Sequence, residues 1–188
     1  MGRWVFRNRS WLPVPLVLIL LVAGPSGTGS RGLQLAGGVS IVLGQSLRLW
    51  AVRHIGVISR TRTTRLGPLI TTGPYAWSRN PLYVANWLLW TGFVLAAQVL
   101  WMLPVAWAVF ALQYRAIVKW EEQLLRERYP DAYDEYAARV RRWWPSRADR
   151  TAMPVRIHPW QDVLFSERGT LAAIVVLAIL LLVREVVT

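Results

Sequence analysis

Apolar residues in this chain come in long blocks, not in the strict alternation of a strand or the one-sided stripe of a soluble helix. Five blocks stand out: about Trp11 to Ala23, Leu33 to Val52, Leu82 to Ala97, Val99 to Val118, and Gly169 to Val187. Each reads as a helix, and together they predict an all-α bundle of about five transmembrane helices. The first is short for a span of about 20 residues. Trp4 to Phe6 can lengthen it, and no Ala-x-Ala cleavage pattern follows, so it reads as a retained helix and not as a signal peptide. The second carries Gly37, Gly38, Ser40, Gly44 and Ser46, small residues that let membrane helices approach closely. The third and fourth, separated only around Gln98, form a helical hairpin.

Arginines orient this layout. If the N-terminus is cytoplasmic and every block crosses once, Arg3, Arg7, Arg9, then Arg53, Arg60, Arg62, Arg65 and Arg79, and all basic loop residues from Arg115 to Arg168 lie inside. Only Arg31 and Arg184 lie outside, and Arg48 stays within the second helix. That asymmetry follows the positive-inside rule. The net charge of +12 at 54% hydrophobic residues therefore belongs to loops of a membrane protein and excludes a nucleic-acid binder. Without cysteines, and with only His54 and His158 as histidines, neither a disulfide framework nor a metal site is expected. Lys119 is the sole lysine, which hints at a GC-rich bacterial genome. The expected location is a bacterial inner membrane, multi-pass, with the N-terminus cytoplasmic.

Gly27-Thr28-Gly29-Ser30-Arg31-Gly32 matches the dinucleotide fingerprint G-x-G-x-x-G. The match lacks the preceding strand and the acid about 20 residues later that the motif requires, so it reads as a turn between two apolar helices. The tail from Pro145 to Arg168 is polar and basic, and Trp143, Trp144 and Trp160 suit the membrane interface. The apolar core after it, Gly169 to Val183, would be roughly 22 Å long as a helix. It either spans with Arg184 snorkelling or packs against a second copy of the chain. Three units follow: 1–65 with the first two helices, 66–145 with the polar motifs and the hairpin, and 146–188 with the interfacial segment and last helix.

Candidate chemistry lies in two polar places on the same side of that topology. No carboxylate precedes Glu121 and Glu122, which follow the hairpin directly. Adjacent helical residues point about 100° apart, so both cannot face one ligand. Arg126 follows Glu122 at the favourable i,i+4 spacing, which predicts a surface ion pair, whereas Glu121 has Leu125 there. Glu121 is therefore the better candidate for a cationic ligand. Upstream, Thr72-Gly73-Pro74-Tyr75 is a turn, and Asn80-Pro81 is a helix start with Asn80 as N-cap. The helix N-terminus with Arg79 beside it is suited to an anionic group.

The string Gly73-Pro74-Tyr75-Ala76-Trp77-Ser78-Arg79-Asn80-Pro81-Leu82-Tyr83, a hydrophobic hairpin, Glu121-Glu122-Gln123-Leu124-Leu125, and Tyr133-Asp134-Glu135-Tyr136-Ala137-Ala138-Arg139-Val140 resembles the isoprenylcysteine carboxyl methyltransferase and phospholipid methyltransferase superfamily. Four ordered pieces match between about Leu66 and Pro145. The resemblance implies an integral membrane methyltransferase that uses S-adenosylmethionine without a Rossmann domain. The cofactor would sit at the cytosolic helix ends under a C-terminal cap, and the acceptor would be lipophilic, drawn from the membrane lipids. Carried over by position, Tyr75, Arg79, Asn80, Pro81, Tyr83, Glu121 and Glu122 form the cofactor site. Arg139 and Tyr83 take catalytic places, and Tyr133, Tyr136 and Arg139 line the acceptor side. The ligand's ammonium needs a carboxylate, its carboxylate needs an arginine or helix N-terminus, and its sulfonium tolerates aromatic faces.

The chain departs from the family at Asn80, where the best-known members have histidine. Asparagine cannot take a proton near neutral pH. With both histidines distant from the motifs in sequence, an acceptor that is already nucleophilic, or that loses its proton to water, is favoured; Tyr83 and Glu122 remain candidate bases. The acceptor itself, whether phospholipid amine, isoprenylcysteine-like carboxylate or hydrophobic thiol, is open. A non-catalytic membrane scaffold or small transporter keeping the family shape is the other reading.

Overall fold

Helices are the only regular elements among the described residues of the computed structural model, which are 11, 13–26, 29–56, 67–146 and 157–187. In chain order they are α1 (Val14–Val22), α2 (Arg31–Ile55), a 3₁₀ turn (Gly73–Ala76), α3 (Pro81–Ala96), α4 (Met102–Arg128), α5 (Pro130–Arg139) and α6 (Trp160–Val187). The N-terminal arginines, the Trp4 to Phe6 extension, Arg60, Arg62, Arg65, Gly27-Thr28 and the stretch 147–156 lie outside the described residues.

Two helices are long and apolar enough to cross a membrane, Arg31–Ile55 and Trp160–Glu185. At 1.5 Å per residue, α1 with its 9 residues is about 14 Å long and α3 with its 16 about 24 Å, against a core of about 30 Å. The five-span expectation is thus met by length and composition for two helices only. Outward-facing Val39, Val42 and Leu43 on α2, and Val175, Ile179 and Leu182 on α6, are exposed, which suits a lipid-facing surface.

Glycines decide how α2 meets α3. A Cβ at Gly37 would sit 2.5 Å from the Ala96 nitrogen, one at Gly92 would sit 2.7 Å from the Gly37 carbonyl, and one at Gly44 would sit 2.9 Å from the Ala85 carbonyl. Only hydrogen fits there, so the backbones touch, as the small-residue pattern predicts. Ser40 Oγ adds a hydrogen bond to the Leu88 carbonyl at 2.8 Å. A second core, with Leu16, Leu20, Phe93, Phe110, Ile117, Leu177 and Leu181 among its members, joins α1, α3, α4 and α6.

At one pole α1, α3 and α6 end together. Arg184 donates to the carbonyls of Leu20 (2.8 Å), Ala23 (2.9 Å) and Ala97 (2.7 Å), so one guanidinium satisfies acceptors that helix ends leave open. Its charge is held by these helix ends. The α3–α4 turn lies here as well: Gln98 adopts φ 59°, and its side chain accepts from the Ser30 N–H at 2.6 Å. Ser30 caps α2 through Leu33 N at 3.4 Å, so the part of the fingerprint-like stretch from Ser30 onward is a helix start.

The last helix differs from expectation. It begins at Trp160 and runs 28 residues, about 42 Å, where the sequence suggested a start at Gly169 after an interfacial tail. Polar residues in its first turns have partners elsewhere in the chain. Glu167 is fully buried and takes Arg48 of α2, Nε to Oε2 at 2.5 Å, and Arg53 lies over the Trp160 ring at 4.6 Å.

Candidate functional site

The opposite pole gathers the C-terminal ends of α2, α4 and α5 with the N-terminus of α3. Pro81 opens α3, but Asn80 does not cap it as expected. Its Nδ2 donates instead to the Arg142 carbonyl at 3.1 Å, while Ser78 Oγ accepts from the Asn80 N–H at 3.3 Å. The Arg79 N–H reaches the Arg141 carbonyl at 3.0 Å. Asn80 therefore ties the 78–83 motif to the chain after α5, and a second backbone strand closes over the start of α3.

The two glutamates part company, as their 100° separation requires. Glu122 is buried and receives Arg142 in a fork, Nε to Oε1 at 2.9 Å and Nη2 to Oε2 at 2.5 Å, with Arg79 Nη1 at 3.5 Å. Its expected partner Arg126 pairs with Asp134 at 2.9 Å instead. The hydrogen bond to Glu122 raises the Arg142 pKa. Glu121 accepts from the Tyr83 hydroxyl at 2.9 Å, and the Tyr83 ring lies 4.6 Å from that of Tyr114. A carboxylate has capacity for several donors.

The 3₁₀ turn brings Tyr75 into the same region. Its carbonyl accepts from the Tyr136 hydroxyl at 2.7 Å, which docks α5 onto the Gly-Pro-Tyr motif. Burial pushes the Tyr75 phenol above the ordinary tyrosine range, helped by Tyr136 and Glu121 and opposed by Arg48. Tyr133 accepts from Arg79 at 3.4 Å, and burial, with Glu122 adding to it, raises its pKa to about 12. Both phenols are neutral at physiological pH.

Arg139, by contrast, lies on the exposed side of α5 with Glu135 at 2.6 Å. The geometry thus brings together Tyr75, Arg79, Asn80, Pro81, Tyr83, Glu121, Glu122, Tyr133 and Tyr136. Sequence reasoning missed Arg142, three residues beyond Arg139. It also missed the set Arg48, Asn86 and Glu167, in which Arg48 Nη1 donates to Asn86 Oδ1 at 2.6 Å. A charge inside an apolar helix demands a partner, and Arg48 was that signal.

Histidine proximity also needs correcting. His54 lies far from the motifs in sequence, yet its ring packs on Gly73, the first residue of Gly-Pro-Tyr, where φ is +60° and a Cβ would collide with the imidazole. Its Nδ1 donates to the Trp50 carbonyl at 3.0 Å.

Three buried polar atoms in this loop have no hydrogen-bond partner among the described residues: Thr72 Oγ1, Tyr75 OH and Arg79 Nε. Buried polar groups are nearly always satisfied, and Gln45, Arg53, Gln113 and Ser166 carry further buried atoms of this kind outside the loop. Among the described residues no three His, Cys, Asp or Glu side chains gather as a metal site.

A family model described as phospholipid methyltransferase matches residues 33–132. The chain is 32% identical over 136 residues to the nickel-cobalt-cadmium resistance protein NccN of Alcaligenes xylosoxydans, a match covering 70% of this chain and 61% of that one. It is 35% identical over 139 residues to the cobalt-zinc-cadmium resistance protein CzcN of Cupriavidus metallidurans, covering 70% and 60%. The chain thus spans about three fifths of the length of these relatives. No solved structure matches.

Proposed function

Because the chain belongs to the phospholipid methyltransferase family, we propose that it is a multi-pass membrane methyltransferase moving a methyl group from S-adenosylmethionine to a lipophilic acceptor at the cytosolic face. The observation that carries this reading is the family match over residues 33–132, joined by the motif loop in which Thr72 Oγ1, Tyr75 OH and Arg79 Nε are buried without a hydrogen-bond partner among the described residues. When bound, the cofactor supplies an electrophilic methyl group on sulfonium, so the acceptor needs only a lone pair aligned with it.

The chain's own residues then have distinct tasks. Glu121 receives the ligand's ammonium, and Tyr83 orients that carboxylate by its 2.9 Å bond. Arg79, held by Glu122 on one side, offers its Nε to a carboxylate. Tyr75 and Thr72 donate within the same loop, and the aromatic rings of Tyr83 and Tyr114 provide faces toward a sulfonium. Glu122 and Arg142 form the frame: they fix the chain after α5 over the start of α3 and so exclude water from the polar loop. Alignment in a water-poor site of this kind contributes several kcal/mol to such a displacement. Tyr133 and Tyr136 wall the site through α5. Arg139 stands beyond them, where it would meet the acceptor's polar end.

The two relatives carry metal-resistance names; the methyltransferase reading proposed for this chain rests on the family match instead. Calorimetry of the detergent-purified protein with S-adenosylhomocysteine tests the assignment and separates it from a non-catalytic scaffold. Binding that is weakened by Glu121→Gln is expected; no binding, or binding indifferent to that change, overturns it.

A further inference from the structure

Two glycines among the described residues have positive φ, Gly56 at 71° and Gly73 at 60°, and each faces an imidazole, His158 at Gly56 and His54 at Gly73. These are the two histidines of the chain. Gly73 opens the Gly-Pro-Tyr turn of the candidate site, whereas Gly56 ends α2. On the methyltransferase reading, we infer that His54 is a positioning residue for the cofactor, holding this turn in its ligand-binding shape from the last turn of α2.

A glycine at positive φ supplies a shape but no restraint. Without a Cβ it visits both signs of φ at similar cost, so a ligand that needs one of them must order the loop as it binds. The His54 ring occupies the space that a side chain at 73 would take, and an added Cβ there would collide with its Nε2, Cε1 and Cδ2 atoms. Packing against that ring supplies the restraint that glycine lacks.

The ring is itself fixed. Its Nδ1 donates to the Trp50 carbonyl at 3.0 Å, one turn back on α2, and the Trp50 indole meets the imidazole edge-on with centroids 6.3 Å apart. The same indole meets Trp77 edge-on at 5.9 Å, so Trp50 and His54 bracket the 3₁₀ turn at its two ends. Between them Tyr75 shares a buried cluster with Ala51, and Ile55 packs against it. Positions 50, 51, 54 and 55 form one stripe of a helix, which makes the end of α2 a seat for the whole turn.

That seat is rigid with respect to the rest of the site. Backbone contact at Gly37 and Gly44 locks α2 against α3, and α3 starts at Pro81, shortly after Trp77. The loop tied down between the two helices carries Thr72 Oγ1, Tyr75 OH and Arg79 Nε, buried without a hydrogen-bond partner among the described residues. Their directions follow the backbone of the turn, and polar groups carried on a loop reach a ligand reproducibly only when packing supports that loop.

Calorimetry and hydrogen exchange on the full chain in detergent test this with substitutions at both partners. His54→Ala is expected to weaken S-adenosylhomocysteine binding at least about fivefold. It should also speed amide exchange at Tyr75, Trp77 and Ser78, whose N–H groups bond within the turn, and leave the middle of α4 unchanged. Gly73→Ala is expected to bind more weakly than the unmodified chain because its methyl meets the ring, and adding His54→Ala to it should restore at least about fivefold by removing the collision. Loss of the ring then harms the native turn and helps the crowded one, a reversal that general destabilisation does not produce. His54→Phe, which keeps a ring on Gly73, should retain most of the affinity, and it is compared with His54→Asn, which keeps the donor to Trp50 without the ring, if His54→Ala does not fold. His158→Ala, at the other covered glycine, should stay within roughly twofold. Affinity and turn exchange indifferent to loss of the His54 ring, or an equal loss in His158→Ala, overturns the inference. Absence of binding in the unmodified chain overturns the methyltransferase reading, and turn exchange in His54→Ala still decides whether His54 holds the turn.

Discussion

The phenol of Tyr83 on α3 donates to the carboxylate of Glu121 on α4 at 2.9 Å, the next residue along, Glu122, being held by Arg142 and Arg79. One helical step thus gives two identical side chains different partners, as the rotation per residue requires, and we propose Glu121 as the one that meets a cation. Tyr83→Phe keeps the ring that packs on Tyr114 and removes one donor to a charged acceptor. We expect S-adenosylhomocysteine affinity to fall about tenfold, the size of one such hydrogen bond, with the thermal transition little changed; calorimetry and melting curves measure the two.

The Arg48–Glu167 pair calls for a different experiment. Glu167 is fully buried and Arg48 nearly so, and breaking a buried pair on one side strands a charge at a cost of about 3 to 5 kcal/mol. Glu167→Gln should therefore lower the melting temperature strongly. The apolar double change Arg48→Met with Glu167→Leu should recover most of that loss. Equal melting of the single and double variants would show that the pair is not coupled in this way.

Much of this fold is legible from residues close in sequence. The Pro81 helix start depends on neighbours within a few positions, and the small residues of α2 show their packing role in their own spacing although the backbone they meet belongs to α3. What escaped depends on partners far away. Glu167 sits 119 positions from Arg48, so its charge looked like the end of an apolar helix and α6 was read nine residues short. Arg142 meets Glu122 across 20 positions, and Arg126 at ideal helical spacing was the obvious but wrong choice because Asp134 competes for it. The motif region was legible as a set, whereas the division of labour between Asn80, Arg79 and the 141–142 backbone required the fold.

Gly37 and Gly38 make a matched pair for testing the α2–α3 contact. A Cβ at Gly37 collides with the Ala96 backbone, whereas one at Gly38 meets nothing within 4 Å. Gly37→Ala is expected to destabilise by about 1 to 3 kcal/mol as overpacking against backbone does. Gly38→Ala should be neutral or slightly stabilising through its helix propensity. Detergent melting curves of the two variants decide the matter.

Alkaline stability reports on Tyr133. Its folded pKa is raised from 10.0 to about 12, so the folded state keeps a proton that the unfolded chain releases first. The resulting stabilisation is complete below pH 10 and is lost as pH rises through about 12, a span worth at most roughly 2 to 3 kcal/mol. Tyr75, shifted the same way, adds to it. Tyr133→Phe should flatten this part of the stability profile between pH 10 and 12, while an unchanged slope would place the alkaline transition on other groups.

Variants of Arg139 and Arg142 test the proposed acceptor side against the frame. Arg139 projects from α5 with a 2.6 Å contact to Glu135, a partner one turn away on an exposed surface, where ion pairs contribute about 0 to 1 kcal/mol. Arg142 instead forks onto buried Glu122 while its carbonyl receives Asn80. Arg142→Ala leaves an acceptor buried and loosens the strand that covers α3, so homocysteine-ligand affinity and melting temperature should fall together. Arg139→Ala should leave both within a few fold or a few degrees, and a methyl-transfer loss seen in that variant alone would assign it to the acceptor. If Arg139→Ala instead weakens cofactor binding as much as Arg142→Ala does, the guanidinium swings inward when ligand binds, and α5 is part of the cofactor site.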